Sequence, residues 1–447
     1  MAKPRAMRII VWGINYWPEA TGIAPFNRGL CRYLAARGHS VRMVTTFAYY
    51  PAWRKAEQDR GRLFRTDLVD DVPVHRCWHY VPARATTLRR IWHELSFGVT
   101  SELRVLSLPR ADLYIVVSPP LILGPLAWLA CLLKRSRYVF HVQDLQPDAA
   151  VGLGMMRERG FLVRILRAME AHAYRHACVV SGISEMMVEA FACKGVPEGK
   201  RCHFPNWVEL AEDRPAAAAR SEAMARQGAA GGGRWAEDTG NWRDRHGIPA
   251  DAFVASYAGN LGRKQGLEMV LDSAERLTRA QHERAPAIFL LIAGDGVMRP
   301  ALEARLRERP LPNVRLLPLL PDADYRAMLA ASDVCMITQA KGTGRFFLPS
   351  KLLTILAAGR PVMAVADATS ELARAADEGG FGVIVPPEDP EALARALADS
   401  AGRRAELGRL GLAGSDWVKR FEASNVLARF ETRLREIVAP DQARVTH

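Results

Sequence analysis

The sequence lacks paired cysteines, and its opening residues lack the pattern of a signal peptide; each absence argues against a class of protein. Its seven cysteines are scattered, without a C-x-x-C pair. Neither a disulfide framework nor a zinc ribbon is therefore predicted, and a reducing compartment is favoured. The opening residues MAKPRAMRIIVWG pass directly into a strand-like run, without the apolar region and cleavage site of a signal peptide. We therefore expect the protein to remain in the cytoplasm.

The sequence also lacks an apolar run long enough to be read as a membrane anchor. PPLILGPLAWLACLL at 119–133 contains three prolines and is followed by basic residues at 134–137. It is shorter than the roughly 20 residues of a spanning helix. It predicts a buried helix, or a helix lying against a membrane surface. A second segment, GFLVRILRAMEAHAYRHA at 160–177, places apolar residues at helical spacing beside arginines. A helix that packs within a domain is the favoured interpretation of that segment.

The excess of positive charge lies in one half of the chain. Residues 1–205 hold 29 lysines and arginines against 16 aspartates and glutamates, which accounts for the whole net charge of +13. Such asymmetry indicates that the N-terminal half binds an anionic partner, which could be lipid headgroups, a lipid-linked phosphate or nucleic acid. An arginine-rich genome produces the same bias without any function. Because no zinc-finger spacing, RNP-like strand or helix-turn-helix is found, we expect an anionic membrane surface and no nucleic acid.

The length and the alternation of elements predict an α/β protein with two Rossmann-like domains facing across a cleft. The boundaries are 1–207 for an N-terminal domain, 208–250 for a linker or insertion, 251–414 for a C-terminal domain, and 415–447 for a helix crossing back to the first domain. In the first domain we expect a helix at 25–38 and strands at 8–13, 39–46, 113–118, 137–142, 177–182 and 201–206. In the second we expect helices at 267–280, 322–332 and 349–358, and strands at 252–260, 287–296, 314–320, 334–339 and 362–367.

Three loops of the second half have the composition of a nucleotide site. Small residues let a backbone approach phosphates, and nearby cations neutralise them. The third loop also begins a helix, where Ser is a good N-cap and Lys351 is unfavourable unless an anion is near. The alternative is a buried helix whose lysine merely reaches solvent. The loop residues are Gly259, Asn260, Gly262, Arg263 and Lys264 in the first, Gly294, Asp295 and Gly296 in the second, and Pro349, Ser350, Lys351 and Leu352 in the third.

Motifs spread over most of the chain resemble one family. They are IIVWGINYWPEATGIAPFNRGLCRYLAARGHSV, FHVQDLQPDAAVGLG, FPNWVE, YAGNLGRKQGLE, LLIAGDG and LPSKLLTILAAGRPV. Together they resemble glycosyltransferase family 4 of the GT-B fold, and most of all its colanic acid and exopolysaccharide enzymes. The resemblance implies a nucleotide diphosphate sugar on the C-terminal domain, an acceptor on the N-terminal domain, and retention at the anomeric carbon. It implies neither a metal nor another cofactor. GDP-fucose is one donor it suggests, with UDP- and dTDP-sugars left open.

The resemblance also implies roles for individual residues. Backbone N–H groups near Ser350 and Lys351 would bind the donor diphosphate, and Arg263 and Lys264 would meet the same charge from the other side. Gly22, after Thr21, would approach the donor phosphate. His141 matches a position that contacts the transferring sugar, and Asp144 could accept the acceptor proton. The alternatives are a hydrogen-bonded histidine at a strand end and a helix-capping aspartate. Glu19 is a further candidate.

The sequence departs from the family in several places. Phe346 and Thr354 stand where the family commonly carries two acidic residues, and Asn260 and Gln265 stand where its phosphate loop often has Arg and Lys. Arg263 and Lys264 are therefore substitutes for that pair. Asp322-Ala323-Asp324 matches a metal-binding D-x-D pattern, but its position before a helical run predicts that Asp322 is an N-cap.

Three functions fit these observations. The first is transfer of a sugar to a lipid-linked acceptor, such as a polyprenyl diphosphate, at the inner face of the cell membrane. The second is a sugar nucleotide epimerase, which would act on the donor without an acceptor. The third is a non-catalytic nucleotide-binding regulator, which the missing acidic pair makes conceivable.

Overall fold

The computed structural model describes residues 5–19, 22–50, 52–82, 86–146, 148, 151, 156–210, 242–280, 287–344 and 348–439. The chain divides into two compact units. The first comprises Met1–Asn206 together with Ser424–His447, and the second comprises Trp207–Ala423. Most of the predicted linker at 208–250, from 211 to 241, lies outside the described residues.

The first unit is built on an eight-stranded sheet with the strand order β3-β4-β2-β1-β5-β6-β7-β8. All neighbouring pairs are parallel except β3 and β4. Its strands are β1 (Arg8–Trp12), β2 (Ser40–Thr46), β3 (Phe64–Val69), β4 (Val72–Cys77), β5 (Leu113–Ser118), β6 (Arg137–Val142), β7 (Val179–Gly182) and β8 (Arg201–His203). Its helices before the second unit are α1 (Ala24–Ala36), α2 (Thr87–Ser107), α3 (Leu123–Lys134), α4 (Phe161–His176) and α5 (Glu185–Cys193).

The second unit contains a six-stranded, wholly parallel sheet with the order β11-β10-β9-β12-β13-β14. Its strands are β9 (Phe253–Asn260), β10 (Ile288–Asp295), β11 (Val314–Leu317), β12 (Val334–Thr338), β13 (Val362–Val365) and β14 (Gly382–Val385). Its helices are α6 (Glu268–Ala280), α7 (Arg299–Glu308), α8 (Asp322–Ala331), α9 (Lys351–Ala357), α10 (Glu371–Gly379), α11 (Pro390–Gly402) and α12 (Arg404–Trp417). The inner strands are buried on both faces, as expected where helices cover both sides of a parallel sheet.

Within the predicted C-terminal helix at 415–447, the described residues do not form one helix. Helix α12 ends at Trp417, a 3-10 turn covers Val418–Phe421, and α13 (Ala423–Val438) follows. The break is at Glu422, whose backbone is extended and forms a parallel bridge with Val208. Backbone N–H and C=O groups that would form hydrogen bonds within an uninterrupted helix are hydrogen bonded at this bridge instead. The last helix then belongs to the first unit.

Helix α13 is attached to the first unit through a buried carboxylate. Glu431 is 3% exposed and accepts hydrogen bonds from the hydroxyl of Tyr33 and from Arg37, both at 3.1 Å. His39 lies 3.3 Å away, and Arg435 on the same helix is 2.5 Å away. The ring of Phe430 stacks on that of Phe204 with centroids 3.6 Å apart. An ionised carboxylate is stable when buried only with such partners.

Candidate functional site

The carboxyl ends of β9 and β10 lie side by side and present bare backbone. The register pairs Gly259 with Gly294 and Asn260 with Asp295. A Cβ atom on Gly294 would lie 1.8 Å from the carbonyl oxygen of Gly259, and φ of Gly294 is +146°. Only glycine meets both conditions. The first and second predicted loops are therefore joined at one edge of the sheet, with no side chain between their backbones at this point.

The loop after β9 wraps around the loop after β10. A Cβ atom on Gly296 would lie 2.5 Å from the carbonyl oxygen of Leu261, and one on Gly262 would lie 2.8 Å from Gln265 Oε1. Residues Arg263–Gln265 form a 3-10 turn that ends at Gly266, where φ is +58°. Asn260, Arg263 and Asp295 are exposed at this edge, and Lys264 is partly buried.

Helix α9 begins at the predicted position. Ser350 occupies the N-cap position, but its side chain makes no capping hydrogen bond. Pro349 is buried before it, and Leu352 is fully buried in the core beneath the helix. Lys351 turns toward the strand edge, where its Nζ lies 3.7 Å from the ring centroid of Tyr257 and 3.4 Å from the carbonyl oxygen of Ala258. The structure thus brings all three predicted loops together.

The electrostatics of Lys351 distinguish it from an ordinary surface lysine. Burial, together with the positive charge of Lys264, lowers the pKa of its ammonium from 10.5 to about 7. A Cβ atom on Gly259 would lie 3.7 Å from its Nζ, so the cation is also close to bare backbone. A partly buried ammonium beside a second cation is unfavourable by itself. An anion placed between the two lysines would relieve this cost.

In the first unit, His141 is enclosed by side chains that are hydrogen bonded to each other. Its Nδ1 lies 3.0 Å from Ser181 Oγ, and the amide of Gln143 donates to Nε2 at 2.9 Å. The same amide donates to Asn206 at 3.0 Å, and Phe204 packs on the imidazole. Burial lowers the pKa of His141 to about 3. The imidazole is therefore neutral at physiological pH, and its predicted contact with the sugar stays a prediction.

The other predicted residues of the first unit lie in loops at the carboxyl ends of strands. Asp144 is partly buried two residues after β6, and Gly22 is exposed with φ +66° just before α1. Thr21 lies outside the described residues. Glu19 is buried and accepts from the backbone N–H groups of Tyr49 and Tyr50, both at 2.9 Å, and from Asn15 at 2.7 Å. It thus links the loops after β1 and β2.

Some expectations for the second unit are corrected or fall outside the described residues. Asp322 is not the N-cap of α8, because Pro321 holds that position and Asp322 is the first helical residue, with an ion pair to Arg326 at 3.0 Å. The ring of Pro321 holds its φ at −58°, a value compatible with the residue that precedes the first turn of a helix. Thr354 is partly buried within α9, whereas Phe346 lies outside the described residues.

The sequence reasoning missed three contributors to these sites. The ring of Tyr257 lies under Lys351, and its hydroxyl donates a hydrogen bond to the carbonyl oxygen of Asn260 at 2.8 Å. The sequence could have indicated this residue, because it lies two positions before Gly259 and therefore on the same face of the strand. Gln143 positions His141. Gln146 accepts from the backbone of Leu121 and donates to Glu94 of α2 at 3.1 Å. No pattern in the sequence connects Glu94 to Gln146.

No helix in the described part of the chain is long and apolar enough to cross a membrane.

Comparisons with known proteins agree on one family. A model described as "Glycosyl transferase 4-like domain" matches residues 21–207, and one described as "Glycosyl transferases group 1" matches residues 252–401. The chain is 33% identical over 392 residues to the "Putative colanic acid biosynthesis glycosyl transferase WcaI" of Escherichia coli (strain K12), covering 87% of this chain and 90% of that protein.

Solved structures share the fold over nearly the whole chain. Sucrose-phosphate synthase from Thermosynechococcus elongatus has a TM-score of 0.69 at 18% identity, covering 96% of this chain and 99% of its own. Anabaena Alr3699/HepE, solved in complex with UDP, has a TM-score of 0.66 at 15% identity, covering 96% and 100%. Such likeness shows the fold, and the predicted GT-B class, with an α/β unit on each of two sheets, is confirmed.

Proposed function

Because this chain belongs to glycosyltransferase family 4, we propose that it transfers a sugar from a nucleotide diphosphate to a lipid-linked acceptor, with retention at the anomeric carbon and without a metal. The observation that carries the donor half of this proposal is the pairing of Lys351 and Lys264 beside the bare backbone of Gly259. Two cations beside a backbone without side chains suit a diphosphate, which carries charge and accepts several hydrogen bonds. Exopolysaccharide synthesis is the process we infer from the relationship to WcaI.

In the proposed reaction, the bond between the anomeric carbon and the phosphate oxygen breaks, and a bond to the acceptor oxygen forms. Negative charge develops on the departing diphosphate, and Lys351, Lys264 and the exposed Arg263 stabilise it there. These side chains supply charge that a divalent cation would otherwise provide. Asp144 takes the proton of the acceptor hydroxyl. His141 meets the sugar as a neutral imidazole once the amide of Gln143 releases its Nε2. The protein works in the cytoplasm at the membrane face.

The proposal of a lipid-linked acceptor is supported by the positive charge of the N-terminal half of the chain. The first 205 residues carry the whole positive excess of the chain, and an anionic diphosphate lipid and the anionic headgroups around it suit such a surface. No other cofactor is needed for the transfer.

We expect purified protein to be stabilised by one nucleoside diphosphate among UDP, GDP, ADP and dTDP. UDP is the first to test, since Anabaena HepE was solved with it. At about 100 times Kd the ligand adds roughly 2.7 kcal/mol to the free energy of unfolding, which differential scanning fluorimetry detects readily. The matching nucleoside monophosphate is the control, since it lacks the second phosphate. A folded, monodisperse sample that responds to none of the diphosphates contradicts the proposed donor site.

We expect the affinity for a nucleotide sugar to fall as pH rises above about 7. Free Lys351 has a pKa of about 7, and a bound diphosphate raises that pKa, so binding takes up a proton. Below about pH 7 the lysine is already charged and the affinity is constant; above it, the affinity declines by up to about tenfold per pH unit. Calorimetry with a nucleotide sugar measures this, because its diphosphate holds the same charge throughout. Lys351→Arg, which stays protonated, should flatten the profile, and an unchanged slope in that variant would assign the titration to another group.

A further inference from the structure

Helix α2 exposes apolar side chains along its outward side. From residue 91 to residue 106, every exposed residue of the helix is apolar. Spacings of three and four residues place them on one side of a helix. We call this the α2 face; it consists of Leu88, Trp92, Leu95, Val99 and Leu103, with exposed fractions of 74, 65, 36, 59 and 57%.

The opposite side of α2 already supplies the core contacts of the first unit. Phe97, Ser101 and Val105 are fully buried there, beneath the helix. A surface helix of a water-soluble protein is normally polar on the side away from the core. The α2 face therefore contributes little to the packing of this unit, and it exposes a row of large side chains that water disfavours.

The neighbouring helices extend the apolar surface. Helix α3 crosses α2 closely at Gly98, where an added Cβ would lie 3.1 Å from the side chain of Leu126. The exposed residues of α3 are Leu129, Leu132 and Leu133, and nothing else on that helix is exposed. Helix α4 packs beside α3 and exposes Phe161 at 73%. Since each helix turns its inner side to the sheet, their outer sides form one layer.

The charges of this layer have one sign. Among the described side chains of α2, α3 and α4, no aspartate or glutamate is exposed, because Glu94 is partly buried and Glu102 and Glu170 are buried. The exposed charged side chains on the three helices are Arg89, Arg90, Arg164, Arg167 and Arg175. Just before α4, the exposed Glu158 pairs with Arg167 at 3.5 Å, so the rim is mainly cationic. An apolar surface with a mainly cationic rim is complementary to an anionic lipid bilayer. A second protein surface of mixed charge would not be favoured by this rim.

Helix α2 is also connected to the predicted acceptor side. The hydrogen bond between Glu94 and Gln146 joins its first turns to the loop that follows β6, two residues beyond Asp144. A bilayer in contact with α2 would therefore lie along a helix that is hydrogen bonded to the loop containing Asp144.

We propose that the α2 face, extended by the exposed leucines of α3, inserts into the headgroup region of an anionic bilayer and brings a lipid-linked acceptor to the loop of Asp144. The assignment of the acceptor rests on the function proposed above, whereas the bilayer contact does not. Trp92 and the leucines enter the apolar boundary, and the arginines remain among the anionic headgroups.

The test is flotation of the full-length protein with vesicles of phosphatidylcholine alone or with equal parts of phosphatidylglycerol. We expect the protein to float with the anionic vesicles, less with the neutral ones, and less at high salt. Trp92→Gln/Val99→Gln/Leu103→Gln should reduce partitioning by roughly tenfold or more, since three inserted side chains are lost. Leu319→Ser removes a 49% exposed leucine of the second unit and should leave partitioning unchanged.

Three results would overturn the bilayer proposal. The first is wild-type protein that does not float with anionic vesicles, and the second is a triple variant that floats as well as wild type. If light scattering instead shows a dimer that the triple variant converts to a monomer without any vesicle binding, the α2 face is covered by a second copy and the proposal fails. Equal thermal midpoints for wild type and variant establish that the variant is folded.

The same samples separate this inference from the proposed function. The triple variant should keep the full stabilisation by the nucleoside diphosphate and its transfer to a detergent-dispersed acceptor, while losing transfer to acceptor in vesicles. Vesicle binding without any nucleotide response would refute the proposed function and leave the bilayer contact standing. Stabilisation by nucleotide without vesicle binding would refute the bilayer contact and leave the proposed function standing.

Discussion

Lys351→Met should abolish the stabilisation by nucleoside diphosphate and reduce transferase activity by at least about a hundredfold, because it removes a cation placed at the developing charge. The same change should stabilise the ligand-free protein. Lys351 has a folded pKa of about 7 against an ordinary value of 10.5, so its charged form is penalised in the folded state. The penalty is absent above about pH 10.5, grows as pH falls, and is complete below about pH 7.

The gain in ligand-free stability should be roughly 1–3 kcal/mol at neutral pH, since solvent at the partly buried site discounts the full shift. Differential scanning fluorimetry with and without ligand measures both effects on one sample. Lys341→Met is the control, because that lysine is exposed on a loop of the same unit. A Lys351→Met protein that is still stabilised by nucleotide would refute the site, and one that is merely less stable would indicate an ordinary structural lysine.

Glu431→Gln should be the most destabilising of the substitutions considered, at about 2–3 kcal/mol, because a buried carboxylate loses the charge with which it accepts hydrogen bonds from four partners. Burial alone would raise the pKa of this carboxyl, but hydrogen bonds from Arg435, Tyr33, His39 and Arg37 lower it to about 2. A folded pKa below the ordinary 4.5 means that the stabilisation is complete above pH 4.5 and is lost as pH falls toward 2.

Calorimetric unfolding of the wild type and the variant measures this loss in the first unit. Glu436→Gln is the matched control on the same helix, since Glu436 pairs with Arg433 at the surface and is half exposed. An exposed pair contributes at most about 1 kcal/mol. If the two variants lose the same stability, the contacts of Glu431 do not hold α13 to the first unit.

The sequence predicted the buried strands well. The bounds of β5 and β6 agree with prediction to the residue, because a strand covered on both faces reads as an uninterrupted apolar run between polar neighbours. Strands β3 and β4 were not predicted. They form the antiparallel edge of the sheet, and β3 is only partly buried, which weakens that signal.

The break at Glu422 could not be predicted, because no proline or glycine marks it and its cause is a bridge to a residue far away in the chain. The separate loops of the candidate donor site were predicted from the sequence. Glycines, Lys264 and the helix start at Ser350 each have a local pattern. What could not be predicted was the packing of Lys351 over Tyr257, and hence the low pKa, since these depend on tertiary neighbours. The glycosyltransferase relationship leaves the epimerase and the regulator without support.

The bridge between Val208 and Glu422 makes the second unit an insertion into the first. Backbone hydrogen bonds from Val208 to Phe421 and from Ala423 to Val208, both of 3.0 Å, bring the outgoing and returning segments together. A chain shortened at residue 207 would lose α13 and leave Phe204 without its stacking partner. A chain in which a short turn connects Val208 directly to Phe421 would keep every contact of Glu431. Expression of the first unit as an independent protein therefore calls for excision of the inserted segment and not for truncation.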